Sequence, residues 1–148
     1  MAHLSVDVPA ALVPPLRESA VLLYQATAES LHLSLRGLVE RRGSLEEIGE
    51  HRARLARLDA VLNQLGWLGE GSGSGEGEAE PRPISLTAPR EVLHDVVYGA
   101  LLDAGERLAE AYGSSWRGEV DVTSVRGLAG EVIALDRLLR RVQADGES

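Results

Sequence analysis

Apolar positions along this chain fall into two short alternations and four helical stripes. Leu4, Val6 and Val8 alternate with Ser5 and Asp7 ahead of Pro9, and Ile84, Leu86 and Ala88 alternate with Ser85 and Thr87 ahead of Pro89. A period of two puts the apolar members on one face, so both stretches read as short half-buried strands. A helix follows each. The first opens at Pro14-Pro15, since proline is tolerated in a helix's first turn and not in its interior. It runs to about Arg42 and is stopped by Gly43. Leu16, Ala20, Leu23, Thr27, Leu31 and Leu38 mark its inner face, with Glu18, Gln25, Glu29, His32, Arg36 and Glu40 opposite. The third helix begins near Pro89, carries Leu93, Val97, Leu101, Ala104, Leu108 and Ala111 inward, and frays or turns between Gly113 and Gly118.

The second and fourth helices have the clearest signals. Ser44-Leu-Glu-Glu47 is a capping box, and Ile48, His51, Leu55, Leu58, Leu62 and Leu65 follow at spacings of three and four until Gly66. The fourth helix opens at Asp121 and carries Val125, Leu128, Val132, Leu135, Leu139 and Val142, each 77 positions beyond its counterpart in the second. Arg-Gly pairs precede both caps, at Arg42-Gly43 and Arg117-Gly118, and both halves begin with a strand and a proline. The pattern predicts a mainly α fold: two duplicated units, each a short strand plus an αα-hairpin, forming a four-helix bundle with a long flexible crossover. The units span 1–68 and 83–148 within one domain, joined by the acidic Gly/Ser/Glu linker 69–82. Gly37, Gly49, Gly99, Gly105, Gly127 and Gly130 lie inside these helices. Each costs about 0.8–1.0 kcal/mol relative to Ala, so they mark either close helix crossings or breaks.

Composition narrows the classes of function. All fifteen basic residues are Arg, and Phe and Cys are absent. The scarcity of residues with AT-rich codons points to a GC-rich bacterium. Without Cys there is no disulfide, thiolate nucleophile or Cys metal site. No apolar run approaches the roughly 18 residues of a membrane span, and Met1–Asp7 lacks the basic and apolar regions of a signal peptide, so a cytoplasmic protein without membrane contact is expected. The net charge of -8 opposes non-specific nucleic-acid binding. Half of that charge comes from the four Glu of 69–80.

Two Glu-x-x-His pairs, Glu29/His32 and Glu91/His94, have the spacing by which carboxylate-bridged bundles bind metals. In an up-down-up-down bundle the first and third helices are parallel, which sets the pairs about 20 Å apart in height at 1.5 Å per residue. Bridged metals sit only about 3.5–4 Å apart, so no metal or other cofactor is expected. His51 occupies a seam position that its repeat counterpart fills with Leu128, and reads as a half-buried histidine bonded to Glu47 one turn back. Arg41-Arg42, Arg52/Arg54/Arg57 and Arg137/Arg140/Arg141 read as solvated faces, with Arg54 paired to Glu50. Trp67 and Trp116, near helix ends, and Ile133 and Leu138, off the main strip of the fourth helix, are candidate interface residues. There is no phosphate-binding glycine loop, nucleophile elbow or His-Glu-x-x-His, hence no catalytic assignment.

The expected function is a non-catalytic protein-interaction or accessory protein acting through helical faces, with an unidentified protein partner or a second copy in a homodimer. The alternative is a helical-bundle enzyme, or a small-ligand or metal-binding protein, with its site between the hairpins at His51 or His94. If 69–80 only tethers the halves, deleting six of its residues leaves the melting temperature within a few degrees, because halving a flexible loop changes closure entropy by only about 0.6 kcal/mol. Loss of cooperative melting in the shortened chain would show that the segment is packed.

Overall fold

The computed structural model describes residues 3–41, 44–66, 82–116 and 122–145; the linker, Trp67, and the side chains of 114–116 and 145 lie outside the described set. Among the described residues the fold is mainly helical, with four α-helices and one small two-stranded sheet. Strand β1 (His3–Val8) leads through a 3-10 turn at Ala10–Leu12 into helix α1 (Val13–Val39), and α2 (Leu45–Gln64) returns along it. Strand β2 (Ile84–Pro89) runs directly into α3 (Arg90–Trp116), and α4 (Val122–Asp145) returns along that. The helix starts follow local chemistry. Pro14 and Pro15 sit in the first turn of α1, and Ser44 Oγ accepts the Glu47 amide at 3.1 Å to cap α2. At the other end of α2 the Leu65 carbonyl accepts the Arg17 guanidinium at 2.9 Å, and Gly66 follows with φ +83°, a conformation that suits glycine. Helix α1 stops at Val39, short of the expected Arg42, with Arg41 in the left-handed region at φ 63°.

The two strands pair with each other. They run antiparallel with Val6 opposite Leu86, and their inward residues Val6, Val8, Leu86 and Ala88 are buried. On the outer face Ser5 Oγ and Thr87 Oγ1 share a 2.7 Å hydrogen bond. Helix α2 packs against β2, and α4 against β1, so each returning helix supports the strand of the other half. The outer edge of β2 is closed by a side chain: the Gln64 amide donates to the Thr87 carbonyl and accepts the Thr87 amide, both at 2.7 Å.

This pairing overturns the expected parallel course of α1 and α3. Each strand feeds straight into its helix, so antiparallel strands send the helices past one another in opposite directions. The contacts confirm it. Pro15 and Asp103 border one recess, Ser19 faces Gly99, and Thr27 and Asp95 are bridged by Arg54. Leu16, Ala20, Leu58, Leu65, Leu86, Leu93, Val96, Ala104, Leu135 and Val142 belong to one core drawn from both halves. Each fully buried Leu or Val contributes about 1.5–3 kcal/mol. The core ends early along the hairpins. Among the described side chains Thr27 is the last buried one of α1 and Ala104 the last of α3, so the turns that follow them lie beyond the core.

The helical glycines divide sharply. Gly49, Gly105, Gly127 and Gly130 have open space where a Cβ would be, whereas a Cβ at Gly99 would lie 2.7 Å from Ser19 Oγ. That hydroxyl is buried and donates to the Val96 carbonyl at 2.7 Å. Gly99 is therefore the point where α1 and α3 touch. Gly99→Ala should destabilise the protein by about 1–3 kcal/mol in urea unfolding, since it forces the hydroxyl from its hydrogen bond. Adding Ser19→Ala removes the clashing atom and should recover most of the loss; a double variant as weak as the single would show that the strain lies elsewhere.

Candidate functional site

The Glu-x-x-His pairs do not converge. Glu29 and His32 are exposed on the outer part of α1, and Glu91 is exposed at the start of α3. The antiparallel course of α1 and α3 removes the argument from height, but among the described residues no three His, Asp or Glu side chains come together as a metal-ion site. His94 has close company. Its Nδ1 is 3.6 Å from Asp95 Oδ1, and its ring stacks on Tyr98 with centroids 5.8 Å apart and planes 9° from parallel. Arg90, Glu91, His94 and Asp95 line an open recess of about 360 Å³. The second oxygen of Asp95 is held at 3.0 Å by Arg54, so the carboxylate beside the imidazole is already charge-paired.

Arg54 departs from its expected surface role. Instead of pairing with Glu50 one turn back it crosses from α2 to α3, and its Nε donates to Thr27 Oγ1 on α1 at 3.3 Å. One guanidinium thus ties three helices. Arg107 does similar work in the second half, donating to Glu131 on α4 at 3.3 Å and to Asp103 one turn back at 3.0 Å. Burial works against its charge, yet Glu131 and Asp103 together outweigh burial and hold its pKa above the ordinary arginine value. Arg140 pairs with Asp136 on the surface at 3.1 Å.

His51 Nε2 lies 3.8 Å from Glu47 Oε1 and the ring is about three-quarters buried, with its side chain 24% exposed. Trp67 and the Trp116 side chain fall outside the described residues. Leu138 is enclosed in the core at 3% exposure and is not part of a free surface, whereas Ile133 is 53% exposed. Apolar side chains are also exposed along the crossing of α1 and α3. A groove of about 340 Å³ runs there between Leu22, Leu23 and Ala26 on α1 and Gly99 and Ala100 on α3, flanked by the carboxylates of Glu18 and Asp103. Leu22, in the groove wall, is 61% exposed, and on α3 the side chains of Tyr98 and Leu102 are about half exposed. The periodicity reading missed this face because it assigned one stripe per helix. The available signal was that Leu22 and Leu102 lie 80 positions apart, as Leu4 and Ile84 do, and both fall off the inner stripe.

Among the described residues no buried side-chain nitrogen or oxygen lacks a hydrogen-bond partner. His51→Leu, which copies the residue at position 128, should leave stability unchanged or raise it by up to about 1 kcal/mol in urea unfolding, because the ring's partner among the described residues, Glu47, is a half-exposed carboxylate 3.8 Å away. A clear loss of stability would assign the imidazole a structural partner beyond Glu47.

Set against protein-family models, curated proteins and solved structures, the chain matches none.

Proposed function

We propose that the chain is a non-catalytic interaction protein, built from two copies of a strand–helix–helix unit and acting through the outer face where α1 and α3 cross. The observation that carries this reading is the exposure of Leu22, which lines an apolar groove with Gly99 and Ala100, and of Leu102, next in the chain to Asp103 of the same groove. Apolar side chains clustered on a surface are the usual mark of a protein contact, whereas single ones are ordinary. Duplication is supported by agreement of burial at fixed offsets. Leu12, Val13, Leu16 and Ala20 are buried, as are Val92, Leu93, Val96 and Ala100, which lie 80 positions on. Leu58, Val61, Leu62 and Leu65 are buried, as are Leu135, Leu138, Leu139 and Val142, which lie 77 positions on. The residues that meet across the two halves, Val6 with Leu86 and Ser19 with Gly99, are themselves 80 apart. These fixed offsets support a two-fold axis between related units.

The partner proposed for this face is a second copy of the chain, in a two-fold dimer that buries Leu22, Tyr98 and Leu102 of both subunits. No helix among the described residues is long and apolar enough to cross a membrane, and the proposed setting is the cytoplasm of a GC-rich bacterium. Light scattering at micromolar concentration should give twice the 15.8 kDa chain mass. Leu22→Glu with Leu102→Glu should return it to a single chain with an unchanged circular dichroism spectrum, since both residues are exposed. A monomeric parent protein, or a dimer indifferent to both charges, overturns this assignment.

A further inference from the structure

The two outer edges of the sheet are treated differently. Thr87 gives both its backbone groups to Gln64, so it faces away from β1, and the Ser5–Thr87 pair is one that exchanges no ladder bonds. Antiparallel ladders alternate, so the Asp7–Ser85 pair is also of this kind, and the Asp7 amide and carbonyl point out from the free edge of β1. At the corresponding place on α4, 77 positions beyond Gln64, stands Arg141. Asp7, Arg137 and Arg141 line one recess of about 180 Å³, whose apolar wall includes Leu12 and Leu138. The two places correspond by geometry whether or not the halves share an origin.

The exchange of Gln for Arg changes what the edge can receive. An amide both donates and accepts, so Gln64 satisfies Thr87 completely; a guanidinium only donates, so Arg141 has no acceptor for the Asp7 N–H. Among the described residues neither Arg137, Arg141 nor the Asp7 amide has a hydrogen-bond or ion-pair partner. The Asp7 side chain is exposed on the face opposite the buried Val6 and Val8. What remains beside α4 is an open strand edge whose Asp7 N–H and C=O point outward, as those of Ser5 do further along, with two unpaired guanidinium groups next to Asp7.

We infer that the outer edge of β1 is a docking site for an extended acidic segment of a partner protein, which adds to the sheet as a third strand and sets its carboxylates on Arg137 and Arg141. The edge calls for a backbone because only a backbone supplies the complementary acceptor and donor at strand spacing. The arginines call for carboxylates because charge-assisted, forked hydrogen bonds are the strongest that they make. This surface is separate from the α1–α3 groove and does not depend on a dimer there.

The test uses the full chain and a fluorescein-labelled peptide of alternating Glu and Val, followed by anisotropy at low salt. The parent protein should bind it saturably. Replacing Glu by Gln in the peptide, or N-methylating its inward amides, should each weaken binding roughly tenfold or more, the first by removing the charge pairs and the second the strand pairing. Arg137→Gln should weaken it similarly. Arg141→Gln is the sharper variant, since it recreates the Gln64 clamp on Asp7: it should raise the melting temperature, protect the Asp7 amide from hydrogen exchange, and abolish peptide binding. Several outcomes overturn the inference: no saturable binding, equal affinity for the Gln peptide, tighter Arg-dependent binding of a single-stranded oligonucleotide, or a change of oligomeric mass in Arg141→Gln, which would mean a second copy fills the edge. Because the peptide readout needs no self-association, its failure is distinct from failure of the dimer.

Discussion

Everything in this fold follows from six residue pairs. When β1 lies antiparallel to β2 with Val6 against Leu86, the helices they launch must leave in opposite directions and cross. The crossing point then falls at Ser19 and Gly99, where a Cβ at 99 would meet the Ser19 hydroxyl. The returning helices come back to the sheet on exchanged sides, α2 beneath β2 and α4 beneath β1, which interlocks the halves. A two-stranded sheet is marginal on its own in water. Here it persists because its inner face is the roof of a core supplied by all four helices.

The polar ties across the helices show how corresponding places can be filled by different chemistry. In the first hairpin Arg54 on α2 reaches Thr27 on α1, while in the second the arginine sits on α3 and the acceptor, Glu131, on α4. Position 107 is 80 beyond Thr27 and position 131 is 77 beyond Arg54, so the same junction is bridged with donor and acceptor exchanged. The requirement at that level is a link between the paired helices, and its polarity is free to vary.

Much of the architecture was legible from local signals. Ser44, Gly66, Pro14-Pro15 and the three-four spacing of Leu58, Leu62 and Leu65 act within one or two turns, so their meaning does not depend on what packs nearby. The strands were legible as strands for the same reason. Their pairing was not, since alternation names a face and not a neighbour, and with the pairing went the sense of α3 relative to α1. Gly99 could not be separated from five other helical glycines because its role lies in Ser19, eighty positions away. Spacing alone makes Glu50, four residues back, the expected surface partner of Arg54; its actual partners, Thr27 and Asp95, come from two other helices. Leu138 was read as surface for a related reason, since the width of a buried arc depends on how many neighbours a helix has, and α4 meets both α3 and β1.

The strand pairing also orders events in time. Each hairpin is held by contacts between neighbouring stretches of chain, which cost little closure entropy and form quickly. The sheet joins residues about 80 positions apart, so its closure costs more chain entropy than either hairpin does. Until it closes, Val6, Val8, Leu86 and Ala88 have no roof to make, and both strand edges stand open together. A nascent chain leaving the ribosome meets that interval in its longest form, because β2 and its helices have yet to be synthesised when the first hairpin is already whole.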